Sequence, residues 1–148
     1  MKAIRYDNEM IEEYFSKGYW TNETFAGFWD RNAEKFPEKE ALIDQRKRLT
    51  WLEAKQWTDR LALGLLELGI KRDEVITSQL PSWIESIAVP IALEKAGILC
   101  ASAMITWRQA EMEHAIKTTQ AVGVIIPWEF DGFNYFEMIQ EIRPALPS

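Results

Sequence analysis

The sequence predicts an α/β fold: a layered parallel-sheet βαβ subdomain with flanking helices and a short N-terminal hairpin. Three observations predict it. Short apolar runs at 75–80, 98–104 and 122–126 alternate with longer segments whose apolar residues recur at helical spacing. Several of those segments open on Ser or Thr with Glu or Gln three residues later, and two close on glycine. The intervals between the runs are long enough for the helical crossovers that parallel strands require.

Taken in order, residues 10–15 read as a first short helix ended near Gly18. Residues 24–36 form an amphipathic helix in which Phe25, Phe28, Trp29, Ala33 and Phe36 share a face, and Pro37 prevents its continuation. Residues 41–44 and 48–50 are strand candidates joined by a polar turn, so the basic group Arg46, Lys47 and Arg48 reads as a solvated loop tip. Thr50 and Glu53 make a capping box for a helix with the stripe Ala54, Trp57, Leu61, Leu65 and Leu68, closed by Gly69. Ser82 with Glu85 predicts a second box. The helix it opens carries Ile84, Ile87, Ala88, Ile91 and Ala92 on one face, is kinked at Pro90 and is closed by Gly97. The run 98–104 is apolar on both sides and reads as a central buried strand. Thr106 with Gln109 predicts a third box, and 133–142 a last helix stopped by Pro144.

A length of 148 residues fits one domain with a real core. A hydrophobic share of 47% with 27% charged residues excludes disorder and fibrous repeats. The net charge of −6, with dispersed Lys and Arg, argues against nucleic acid as a partner. No apolar run approaches the roughly 20 residues of a membrane span, and the polar, acidic N-terminus does not resemble a secretory leader. The single cysteine, Cys100, excludes an internal disulfide and reads as a small buried hydrophobe. A cytoplasmic setting is the expectation.

Ligands in open α/β sheets collect beyond the carboxyl ends of the strands, which here means 79–82, 104–106 and 127–130. The seven glycines are scattered and form no phosphate-cradling loop. His114, the only histidine, lacks a second ligand at metal spacing. Glu12 with Glu13 and Glu111 with Glu113 read as solvated helix faces rather than acid–base pairs. Trp29, Trp57 and Trp83 fit core or boundary positions; Trp107 and Trp128, near strand ends, are better placed to line a pocket or a domain contact, although core packing is the favoured reading for them too. No catalytic, cofactor-binding or metal residue is assigned.

From about Thr24 to Pro127, the ordered pieces ALID, LTWLEAKQWTDRLALGLLELGIK, VITSQLPSWIE and IALEKAGILCASAMITWRQAEMEHAI resemble the opening of the acyl-adenylate-forming enzymes, the AMP-dependent synthetases and ligases. Arg60 and Leu61 stand in the "RLA" position, and Arg108 and Glu111 in the "R-x-x-E" position. Within that family the resemblance points to an acyl-CoA synthetase. Ser102 and Ile105 stand where many members carry prolines, and Asp73 where a turn glycine is common, which leaves the acid-specificity group open.

The resemblance implies residues 1–23 as an N-terminal extension and 24–148 as the N-terminal α/β subdomain of a ligase, truncated before its ATP-binding motifs. It implies a parent that joins a carboxylic acid to ATP, with magnesium, and passes the acyl group to coenzyme A. This segment would supply scaffold and one wall of the cleft, hold no cofactor itself and be inactive alone. Its partner would be the remaining C-terminal part of the parent, with homo-oligomers a further possibility. An aryl-acid-AMP ligase, a peptide-synthetase adenylation domain and a non-enzymatic α/β interaction module stand as alternatives.

Overall fold

The computed structural model describes residues 6–146. Helix α1 (Asn8–Ser16) opens on Asp7, whose carboxylate accepts from the Met10 N–H at 2.8 Å, and Gly18 at φ +70° follows its end. Helix α2 (Phe25–Lys35) is capped by Thr24, as the sequence predicts, and also by a distant group: the Glu94 carboxylate accepts from the N–H groups of Phe25 and Ala26 at 3.1 and 3.2 Å.

The buried face of α2 is Ala26, Trp29 and Ala33, whereas Phe25, Phe28 and Phe36 are exposed. The predicted stripe is therefore rotated. Alanines on the inner face let neighbouring helices approach closely. The outward rings of Phe28 and Phe36 are covered by cations instead, with the Arg31 guanidinium 4.8 Å from Phe28 and the Lys35 ammonium 5.3 Å from Phe36.

Strands β1 (Glu40–Ile43) and β2 (Arg48–Thr50) form the expected antiparallel hairpin. Helix α3 (Trp51–Glu67) starts with the predicted box: the Glu53 N–H donates to Thr50 Oγ1 at 3.3 Å, and the Thr50 N–H donates to the Glu53 carboxylate at 2.8 Å. Its buried residues are Ala54, Thr58, Ala62 and Leu65; Trp57 and Leu61 are half-buried, and Leu68, at the end of the helix, is 79% exposed.

Strands β3 (Val75–Ser78), β4 (Leu99–Ser102) and β5 (Gly123–Ile125) form a parallel sheet in the order β4-β3-β5. The apolar run 98–104 therefore contributes an edge strand among the described residues, and the more polar β3 is the centre. Nor is that edge strand buried: Leu99 and Ser102 are exposed and Cys100 and Ala101 half-buried, because an apolar run says neither how much of its faces is covered nor whether both edges are paired.

Helix α4 (Ile84–Ala96) packs with α3 on one face, in a cluster of Leu65, Ile76, Val89, Leu93 and Ile98. Ala88, Val89, Ala92 and Leu93 are buried, while Ile87, expected on that face, is half exposed. The helix runs continuously through Pro90 and ends at Gly97, φ +73°. The Asp73 N–H donates to the Gly97 carbonyl at 2.9 Å, and Asp73 itself holds φ +64°, the left-handed conformation that glycine adopts most readily.

The other face of the sheet carries α5 (Gln109–Thr119) and α6 (Tyr135–Ile142), clustered through Met112, Ile116, Tyr135, Met138 and Ile142. Between them lies a hairpin that the sequence did not predict, β6 (Glu129–Phe130) with β7 (Phe133–Asn134). Pro144 falls in the short 3₁₀ turn Arg143–Ala145 that follows α6. Near this hairpin the rings of Trp128 and Phe136 stack 4.2 Å apart, 65% and 39% exposed.

The predicted Thr106–Gln109 box does not form. The start of α5 is instead the Arg108 N–H donating to the Glu111 carboxylate at 3.1 Å. A buried amide fixes this register, since Gln79 Nε2 donates to the carbonyls of Met104 and Trp107 at 3.0 Å each and holds 104–107 out of the helix.

Candidate functional site

The three strand-end segments do converge. Pro81, Ser82, Ile105 and Phe130 line one open cleft of about 440 Å³, together with Trp83 and the β1–β2 turn residues Ile43, Asp44, Gln45 and Arg46. Two buried tethers hold its walls: Gln79 secures 104–107, and the Tyr135 hydroxyl donates to the Ile105 carbonyl at 2.8 Å. The contribution of the hairpin turn was not expected from sequence.

Asp44 explains that contribution. Its carboxylate accepts from the N–H groups of Arg46 at 2.7 Å and Lys47 at 2.9 Å, and also from the Ile84 N–H at 3.1 Å. It thereby caps α4 from forty residues upstream. Ser82, the expected cap, is exposed, because the chain bends at Pro81 and Trp83 occupies the N-cap position without a side-chain bond.

The basic group is likewise docked rather than free. Arg46 pairs with Asp44 and Glu85 and lies 4.2 Å from the centre of the Trp83 ring, while Lys47 pairs with Glu85 at 3.1 Å and covers Trp57 at 4.3 Å. Arg48 pairs with Glu40 in the open. Trp83 meets Phe130 edge-on at 5.5 Å, completing an aromatic wall.

Burial pushes the Asp44 carboxyl up, but hydrogen bonds from the Arg46 side chain and from the Ile84, Arg46 and Lys47 backbone outweigh it and hold the group well below the usual carboxylate range. A depressed folded-state pKa gives stability that is present above the unfolded value of about 3.9 and is lost as pH falls below it. The Asp44→Asn protein is therefore expected to melt at lower temperature at pH 7 and to show a shallower loss of stability between about pH 4 and pH 2. Thermal melts across that range check it; an acid limb as steep as in the unchanged chain would count against the assignment.

The remaining candidates stay apart from the cleft. His114 is exposed on α5, with Thr118 Oγ1 3.5 Å away; Glu12, Glu13 and Glu111 are exposed, and Glu113 pairs with Lys117 at 2.6 Å. Cys100 is half-buried on β4, where burial pushes its thiol up and disfavours the reactive thiolate. Among the described residues no group of three or more His, Cys, Asp or Glu is gathered as a metal site. The charged groups of the cleft are already bonded to one another, so they do not fit a triphosphate or its metal. No step through ATP, magnesium or coenzyme A is assigned to them.

A parallel α/β subdomain with its open side at the strand ends is the class that this geometry defines. The chain matches the AMP-binding enzyme family over residues 29–148 and belongs to that family. It is similar to the 2,3-dihydroxybenzoate-AMP ligase of Bacillus subtilis, 29% identical over 95% of this chain and 26% of the relative. It is also similar to the mitochondrial medium-chain acyl-CoA ligase ACSF2 of Rattus norvegicus, 27% identical over 84% of this chain and 21% of the relative. Among solved structures, apo MbtA of Mycobacterium smegmatis superimposes with a TM-score of 0.82 at 25% identity, covering 95% of this chain and 26% of that one. The chain thus spans about a quarter of the length of these relatives.

Proposed function

We propose that this chain is the N-terminal segment of an ATP-dependent carboxylate–CoA ligase. In the parent's first step a carboxylate oxygen attacks the α-phosphorus of ATP and pyrophosphate leaves, giving an acyl-adenylate. In the second, the thiol of coenzyme A attacks the acyl carbon and AMP leaves. The observation that carries the reading is the family match over residues 29–148, with acyl-CoA ligases among the relatives. Magnesium would accompany ATP and neutralise phosphate charge during the first step.

Within that reaction the segment acts as scaffold and as one wall of the cleft. Its cognate partner is the remainder of the parent chain, and its setting is the cytoplasm. Purified residues 1–148 are expected to show no ATP–pyrophosphate exchange with any carboxylic acid; measurable exchange overturns this division of labour.

A second reading, an aryl-acid-AMP ligase or carrier-protein-loading adenylation enzyme, is favoured by the 29% identity to the 2,3-dihydroxybenzoate-AMP ligase. Assaying the full-length parent with fatty and aryl acids, and with coenzyme A against a carrier protein as acceptor, separates the two.

A further inference from the structure

Strand β4 leaves a row of backbone groups open to its outer side. On its inner side the N–H groups of Leu99 and Ala103 donate to the carbonyls of Glu74 and Ser78, each at 2.8 Å. Along a strand a residue turns its N–H and C=O to the same side, and that side alternates from one residue to the next. With Ile76 level with Cys100 and Ser78 with Ser102, the N–H and C=O of Cys100 and Ser102 therefore point away from β3. Among the described residues no strand pairs with that edge, and Leu99 and Ser102 are exposed along it.

Nothing in the sequence blunts this edge. Exposed edges are commonly guarded by charged side chains or proline, and residues 98–107 contain neither. A hollow of about 280 Å³ lies beside the strand, between Leu99 and Ala101 and the end of α5 at Thr118 and Thr119, and leaves room there for a neighbour's side chains.

We infer that the free edge of β4 pairs with the same edge of a second copy of this chain, antiparallel about a two-fold axis at Ala101. That register sets Cys100 opposite the copy's Ser102, and each of the two both donates and accepts, so symmetry satisfies every outward group of the strand in both chains. This reciprocity favours a second copy over an unrelated strand. Ala101 meets its own counterpart and Leu99 meets the copy's Ala103, large against small, at the non-hydrogen-bonded positions where facing side chains come closest. An axis perpendicular to the sheet carries each face onto the same face of the copy, so the α4 and α5 layers continue across the seam, and no charge within residues 98–107 meets a like charge. A strand of four residues makes a seam smaller than the roughly 1,200 Å² of stable complexes, so the dimer is reversible and concentration-dependent. The inference does not depend on the ligase reading.

Sedimentation equilibrium and hydrogen exchange on residues 1–148 test it. As concentration rises the chain should pass from monomer to dimer, and the Cys100 and Ser102 amides should come to exchange at least about 10-fold more slowly, while the amides of β5 at the other edge do not change. Ser102→Pro deletes an outward donor that the monomer does not use, and proline is tolerated on edge strands. It should leave the melting of the dilute protein nearly unchanged and raise the dimer's Kd at least about tenfold. Ser102→Thr keeps the donor and should dimerise as the unchanged chain does. With Cys100→Ser and Ala101→Cys combined, oxidised glutathione should join the copies by a disulfide, because facing residues at the axis lie about 4.5 Å apart at Cα. If the proline variant fails to fold, the exchange and cross-linking arms decide alone. A chain that stays monomeric, a dimer indifferent to Ser102→Pro, protection of β5 in place of β4, or a dimer that does not cross-link at residue 101 each overturns the inference.

Discussion

Leu93→Ala should destabilise the described fold by about 2–5 kcal/mol, the range for emptying a buried leucine site that collapses only in part. Leu93 has no exposed surface and sits on α4 against Leu65, Ile76, Val89 and Ile98, where α3, α4 and the central strand meet. Helices on one side and a sheet on the other leave little room for collapse, which favours the upper half of that range. For a domain whose total stability is on the order of 5–15 kcal/mol the loss is a large fraction. Leu93→Met keeps the volume and should cost less than about 1.5 kcal/mol. Urea denaturation followed by circular dichroism reads both; an unchanged midpoint for the alanine protein would mean that this cluster is not the centre of the core.

Replacing Lys95 by methionine should cost about 2 kcal/mol at pH 7, between the small value of an exposed ion pair and the large penalty of breaking a buried one. The Lys95 side chain is 11% exposed and joins Asp30 of α2 to Asp59 of α3, with Asp59 at 2.6 Å. Without it, among the described residues, only Lys55 pairs with the two carboxylates, at 3.8 Å from Asp30 and 2.6 Å from Asp59.

The pH dependence separates this mechanism from lost packing. Burial pushes Asp59 up, but its bonds to Lys55 and Lys95 hold it below the usual carboxylate range. Its stabilising share is therefore present above about pH 4 and lost as pH falls through the folded value. The methionine penalty should shrink at pH 3, and adding Asp30→Asn should recover part of it at pH 7. Equal penalties at both pH values would show that charge is not the cause.

Legibility in the sequence divides along the line between local and distant partners. The Thr50–Glu53 box and the Gly97 stop were readable because every partner lies within one turn of chain. The Ser82–Glu85 and Thr106–Gln109 boxes have the same spacing and do not form, because Asp44 and Gln79 reach those loops from elsewhere and determine where the helices begin. Periodicity found α2 and α3 but misplaced their inner faces, since it counts Phe28 and Leu68 as core without knowing which helices lie opposite. The strand-end loops that line the cleft followed from sheet topology. The turn carrying Asp44 and Arg46 did not, because its place depends on ion pairs to a helix that begins forty residues later. The β6–β7 hairpin, two residues per strand, is too short for any alternation to show.

The Asp44 cap also bears on the order of folding events. A helix with its own N-cap can begin as an isolated segment, whereas the first turn of α4 gains its acceptor only after a loop of some forty residues has closed. The hairpin turn gains in return, since Arg46 and Lys47 find Glu85 only when α4 exists. Nucleation of α4 and docking of the hairpin are thus one non-local event, a contact of high sequence separation in a chain whose other helix starts are mostly local, and such contacts slow the search for the native state.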